Sequence, residues 1–141
     1  KFKEIYYIFT SPNNDPGGLE IMHEIKKFVK KNKNAIYFPN LGQKYFFSIL
    51  KQSDGMIGNS SSGIIECPAY KKGSINIGDR QLGRLKSSSV INSNSDTRSI
   101  ITAIKKLYSK KFQSSLKKTK NIYQKKNTCF KINNIILNYL K

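Results

Sequence analysis

Short apolar runs alternating with stretches of helical period constrain this chain more than any other feature it has. Ile5-Tyr6-Tyr7-Ile8-Phe9 is β-branched and aromatic with no polar alternation, the pattern of a parallel strand covered on both faces. It ends in Thr10-Ser11-Pro12-Asn13-Asn14-Asp15-Pro16-Gly17-Gly18, a dense cluster of turn formers. Over residues 19–31, Leu19, Met22, Ile25, Phe28 and Val29 recur at helical spacing with lysines on the other side. The pattern then repeats. A strand is predicted over 35–38, a loop over 39–42 and a helix over 43–52 that carries Tyr45, Phe46, Ile49 and Leu50. Gly55-Met56-Ile57-Gly58 reads as a third strand followed by a helix over 63–70, and Ser74-Ile75-Asn76-Ile77 as a fourth, with Ser89-Val90-Ile91 a candidate fifth. Strands alternating with helices define the expected fold class as α/β, a Rossmann-like parallel sheet with flanking helices.

The remainder is helical. Ile100, Ile101, Ile104 and Leu107 share one face of a helix predicted over 96–108, and Phe130, Ile132, Ile135, Ile136, Leu137 and Leu140 mark another amphipathic helix. A lysine-rich link over 110–127 joins them, so 110–141 reads as a helical extension of one domain spanning 1–141. A chain of 141 residues holds one compact domain and is too short for two full α/β domains.

The net charge of +18 raises nucleic acid as a partner. The excess is lysine spread along the whole chain, in a sequence also rich in asparagine and isoleucine, and no recognition helix, zinc-finger spacing or RNA-binding aromatic motif accompanies it. Compositional bias is the better reading, and no nucleic-acid partner is expected. No run approaches the roughly 18 to 20 apolar residues of a membrane span, and Lys1-Phe2-Lys3-Glu4 leads into a strand rather than a signal peptide, so no membrane is expected and a cytoplasmic location is. Cys67 and Cys129 are expected to be free thiols. No His, Cys or acid cluster has metal-ligand spacing, and neither metal nor cofactor is expected. His23, alone on a lysine-rich helix, reads as a surface residue.

In parallel α/β sheets, ligands bind where strands run into helices. The most informative such junction is Met56-Ile57-Gly58-Asn59-Ser60-Ser61-Ser62-Gly63-Ile64-Ile65-Glu66. The first amides of a helix have no intrahelical partner and lie at the positive end of its dipole, so they can hold an anion, and Ser60 and Ser61 add hydroxyl donors. Alternatively the serines only cap the helix. Glu66, about one turn in, could accept two ribose hydroxyls or simply complement the helix dipole. Spacing leaves both alternatives open.

Gly58-Asn59-Ser60-Ser61-Ser62-Gly63-Ile64-Ile65-Glu66, followed by Ile75-Asn76-Ile77-Gly78-Asp79-Arg80-Gln81-Leu82-Gly83-Arg84, resembles the signature of hydrolysing UDP-N-acetylglucosamine 2-epimerases, the enzymes that begin sialic and legionaminic acid synthesis. Ser11-Pro12-Asn13-Asn14-Asp15-Pro16-Gly17 is similar to that family's first loop, and the likeness extends over about 5–107. The resemblance implies the C-terminal, UDP-binding half of a two-domain GT-B-like fold. Its partners would be UDP or a UDP-sugar and an N-terminal domain, absent from this chain, that carries the catalytic acids. By the same resemblance Ser60 and Ser61 would hold the diphosphate, Glu66 the ribose, Asn13 the nucleotide side of the cleft, the backbone around Leu41 the uracil, and Arg80 the sugar-diphosphate; a solvated Arg80 paired with Asp79 is the plainer alternative. Non-hydrolysing epimerases typically carry a second acid beside that glutamate and a Thr-Glu-Arg-Pro-Glu segment, where this chain has Gly78 to Arg84, so the hydrolysing type is favoured. The expected reaction eliminates UDP and hydrates the resulting glycal, leaving a ManNAc-type sugar. No catalytic residue is assigned within these 141 residues, which alone are expected to be inactive. The full-length protein is expected to form a homo-oligomer. The alternatives are a GT-B UDP-sugar glycosyltransferase domain and a basic nucleic-acid module.

Overall fold

A computed structural model describes residues 2–13 and 15–140; Asn14 of the first loop motif lies outside the described residues, as does Lys1. The chain divides into two compact units, Lys1–Ser48 and Ile49–Lys141.

The first unit holds β1 (Tyr7–Thr10), α1 (Gly18–Lys31), β2 (Ala35–Phe38) and the start of α2 (Gly42–Gln52). β1 and β2 are parallel, with Tyr7 opposite Ala35 and Thr10 opposite Phe38. β1 begins two residues later than the apolar run suggests. Ile5 N–H turns back onto the Phe2 carbonyl, and the Ile5 carbonyl is taken by Asn34 Nδ2 at 2.6 Å, so pairing begins when Tyr7 N–H donates to the Asn34 carbonyl. Alternation along β1 sends Tyr7 and Phe9 to one face, where both rings meet Phe28 of α1 edge-on at centroid distances of 6.0 and 5.8 Å.

The second unit holds β3 (Gly55–Gly58), α3 (Ser62–Ala69), β4 (Gly73–Ile77), β5 (Val90–Ser93), α4 (Thr97–Leu107), α5 (Lys110–Leu116) and α6 (Thr128–Tyr139). Its sheet is parallel in the order β3-β4-β5. The expected α/β class with parallel sheets and flanking helices is what the chain adopts, the five strands among the described residues being distributed over a two-stranded and a three-stranded sheet. The lysine-rich link contains α5, started by Ser109, whose hydroxyl accepts from Phe112 N–H. Phe112 and Leu116 turn this helix into the core.

Central β4 is buried at Gly73, Ser74, Ile75 and Asn76 in succession. Successive side chains point to opposite faces. Ile75 joins Ile91, Ala103, Leu107, Phe112 and Leu116 on one side, while Ser74 Oγ donates to the Gly63 carbonyl of α3 on the other. Fully burying an isoleucine or leucine contributes roughly 1.5–3 kcal/mol, so this cluster is the main stabilising feature of the unit. α6 buries none of its residues. Among the described residues no helix is long and apolar enough to cross a membrane.

Cys67 is fully buried on α3 and Cys129 is exposed; both are free thiols. Burial, aided by the neighbouring Glu66 charge and opposed by Lys72, pushes the Cys67 thiol up to about 12. His23 is exposed on α1, where its neighbour Glu24 pairs with Lys27 at 2.7 Å.

Two measurements test this packing. A Cβ on Gly73 would lie 2.3 Å from Leu107 Cδ1 and 2.8 Å from Phe112 Cε1, and one on Gly55 would lie 2.5 Å from the Gly73 carbonyl oxygen. Each glycine-to-alanine change should cost roughly 1–3 kcal/mol in urea unfolding, with Gly55→Ala the worse because a strand backbone yields less than a leucine methyl. Only thiolate alkylates, so iodoacetamide at pH 8 should label Cys129 alone in native protein and Cys67 only after denaturant is added; mass spectrometry finding two labels on native chains would contradict the buried position.

Candidate functional site

The β3-to-α3 junction is built by small residues. Gly58 ends β3 at φ +149°, in the region side-chain-bearing residues avoid, and a Cβ there would meet nothing within 4 Å, so conformation rather than crowding calls for glycine. Gly63, in the first turn of α3, lies against β4; an added Cβ would approach the Ser74 Cβ to 3.4 Å. This close approach packs the first turn of α3 directly on β4. Of the serines, Ser60 Oγ accepts from Ser62 N–H at 3.3 Å, and Ser61, the N-cap residue, makes no side-chain capping bond. The capping alternative therefore accounts for one long contact from Ser60 and nothing from Ser61.

Glu66 is half-buried in α3, and its Oε2 is buried without a hydrogen-bond partner. A carboxylate oxygen in that state carries an unmet desolvation cost, which hydroxyl donors from a ligand would relieve.

The β4-to-β5 loop leans onto the same junction. Gly78 turns it at φ +69°, and Leu82 N–H closes a turn on the Asp79 carbonyl at 2.8 Å. Arg80 is exposed and its Nη1 donates to the Asn59 carbonyl at 3.4 Å, which ties it to the serine loop. Gln81, to which the sequence motif assigns no role, is 3% exposed, and its Nε2 donates to the same Asn59 carbonyl at 2.8 Å. A polar residue between exposed Arg80 and Leu82 offers no sequence signal of burial; only the turn at 79–82 directs it inward. Ser60, Ser61, Glu66 and Arg80 thus all belong to the second unit, on or beside one strand-to-helix junction.

Asn13 and Leu41 belong to the first unit. Asn13 is exposed, but its carbonyl lies where a Cβ on Gly18 would come within 2.3 Å, so the first-loop backbone packs directly on the start of α1. Ser11 Oγ and Tyr37 Oη share a hydrogen bond of 2.6 Å. Leu41 lines a recess of about 410 Å³ together with Thr10, Ser11, Pro39, Asn40 and Phe46. Gly42, at φ +62°, sets the entry to α2, and its N–H is taken by Asn40 Oδ1 at 2.8 Å. Among the described residues no group of three or more His, Cys, Asp or Glu gathers as metal ligands would.

The chain is 42% identical over 114 residues to a GDP/UDP-N,N'-diacetylbacillosamine 2-epimerase (hydrolyzing) of Campylobacter jejuni, a match covering 80% of this chain and 29% of the relative. It is 36% identical over 135 residues to the polysialic acid biosynthesis protein P7 of Escherichia coli, covering 96% and 34%, and 40% identical over 93 residues to a UDP-N-acetylglucosamine 2-epimerase of Neisseria meningitidis, covering 66% and 24%. The chain therefore spans about a quarter to a third of the length of these relatives. The model of the UDP-N-acetylglucosamine 2-epimerase family matches residues 1–137, from ahead of β1 through most of α6. With nearly every residue inside that match, this chain belongs to the UDP-N-acetylglucosamine 2-epimerase family.

Proposed function

We propose that this chain is the UDP-binding part of a hydrolysing 2-epimerase that converts an N-acetylated UDP-sugar into UDP and a ManNAc-type sugar. The observation that carries the reading is Glu66 Oε2, a buried carboxylate oxygen without a partner, one turn into the helix that the serine loop begins. In this reading the carboxylate accepts hydrogen bonds from the ribose hydroxyls. The Ser60 and Ser61 hydroxyls, at the positive end of the α3 dipole, hold the diphosphate. Arg80 adds a guanidinium fork beside the same oxygens. Asn13 contributes to the nucleotide side, and the recess at Leu41, with Pro39 and Phe46 as apolar walls and Ser11 and Asn40 as polar ones, has the mixed lining a pyrimidine ring takes.

In the reaction a base removes the proton at C2 of the sugar, the C1–O bond breaks, and UDP departs with its electron pair. Water then adds hydroxyl to C1, and a proton returns to C2 on the opposite face. The serine loop and Arg80 serve the departure of UDP, because they oppose the negative charge that grows on the diphosphate as the bond breaks. The base belongs to the part of the longer relatives that this chain does not span, and the whole protein is a two-domain GT-B-like enzyme working as a cytoplasmic homo-oligomer. Two kinds of sugar appear in the relatives' names, N-acetylglucosamine and N,N'-diacetylbacillosamine, and the UDP contacts proposed here serve either.

UDP should raise the melting temperature of the 141-residue chain, with a stabilisation of about 2.7 kcal/mol at one hundred times its Kd. Glu66→Gln keeps the shape but removes the charge, and should weaken UDP about 10- to 100-fold, the loss expected for hydrogen bonds to a charged group. Calorimetry showing no UDP binding at millimolar concentration would overturn the reading, as would salt-sensitive binding of RNA or DNA that Glu66→Gln leaves unchanged.

A further inference from the structure

Gln81 carries an inference that goes past ligand contacts. The residue is 3% exposed, although Arg80, Leu82, Gly83 and Arg84 around it are all exposed. Its amide spends its donor across the junction on the Asn59 carbonyl at 2.8 Å, while its own carbonyl oxygen is buried with no partner. Turning the amide over would set oxygen against oxygen at Asn59, so the orientation follows from the acceptor it faces. The loop that supplies Gln81 is itself braced, since Asn76 Nδ2 donates to the Gly78 carbonyl at 3.4 Å and to Asn92 Oδ1 at 3.3 Å.

The atom held matters because of what shares its peptide plane. The Asn59 carbonyl and the Ser60 N–H belong to one planar unit, and the described residues contain no cis peptide. In a trans unit the two groups point in opposite directions. Drawing the carbonyl towards Gln81, with Arg80 Nη1 on the same oxygen at 3.4 Å, therefore turns the Ser60 N–H to the other side. We infer that Gln81 is a positioning residue for the serine loop, holding the Asn59–Ser60 peptide so that the Ser60 amide faces an incoming diphosphate. The inference rests on the proposed UDP site and adds that the anion-holding geometry is set from the β4-to-β5 loop.

The test separates diphosphate from nucleoside. Gln81→Met keeps the length and loses the donor, and Gln81→Glu sets a carboxylate against the Asn59 carbonyl. UDP and uridine are titrated by NMR into the 141-residue chain and both variants, with melting temperatures recorded alongside. The expected result is that UDP affinity falls about tenfold in Gln81→Met, the loss expected from a misaligned charge-assisted hydrogen bond, and further in Gln81→Glu, while uridine affinity stays as it was. Equal losses for UDP and uridine, or no loss of UDP affinity, would overturn the inference. If neither variant folds, the unmodified chain decides: the Gln81 side-chain amide and Ser60 backbone amide should shift with UDP and pyrophosphate and not with uridine, and stationary resonances would refute the role. Failure of the unmodified chain to bind UDP appears in the first titration and removes both readings, whereas UDP binding indifferent to Gln81 removes this one alone.

Discussion

The second unit depends on one strand packed on both faces. β4 alternates a side chain that fills the α4–α5 core, Ile75, with one that bonds into α3, Ser74. No space is left at its start, where Gly73 lies between Leu107 and Phe112 and pairs with Gly55 of β3. These contacts determine how near α3 can come, and Gly63 is the residue that lets it come close. The serine loop therefore lies where it does because of the core, and its position is as well determined as the core packing.

Helix starts in this unit divide into two kinds. α4 begins with Asp96, whose carboxylate accepts from Ser99 N–H at 2.9 Å and is held below the usual carboxylate range first by the Ser99 side chain and then by that amide, and α5 begins with Ser109 capping Phe112 N–H. Both satisfy part of their orphan amides internally. At α3 the N-cap hydroxyl makes no such bond although a serine stands at the position. The difference lies in backbone conformation: Ser109 is extended at ψ 139°, which suits capping, whereas Ser61 is already helical at ψ −25°.

The relatives that this chain matches are about three to four times the matched length, and the proposed reading divides binding from chemistry along that line. In that reading these residues hold a departing diphosphate and a ribose, which lowers the barrier to elimination only if proton removal at C2 occurs in register with it. A lysine-rich surface does not alter that division. The charge of +18 is spread over α1, α4, α5 and the segment before α6 rather than gathered at the serine loop.

Element type and order were legible in the residues themselves. Apolar runs of four or five residues, helical spacing from 19 to 31 and turn clusters between them define five strands and their helices, because periodicity is a local property of the chain. The serine-to-glutamate junction was legible for the same reason, being contiguous. Its ambiguity was not resolvable there: whether a serine caps its helix depends on a backbone angle, and whether Glu66 has a partner depends on what α3 packs against. Strand ends were less legible, since β1 starts only where the Asn34 carbonyl, distant in sequence, is available. Gln81 was invisible as a buried residue, because a polar side chain between exposed neighbours becomes interior only when its turn folds over the Asn59 carbonyl. The sequence by itself determined the α/β alternation and the residues of the strand-to-helix junction, both properties of neighbours along the chain. The tertiary structure alone decided which polar groups find partners and which do not, because that depends on contacts between segments far apart in sequence.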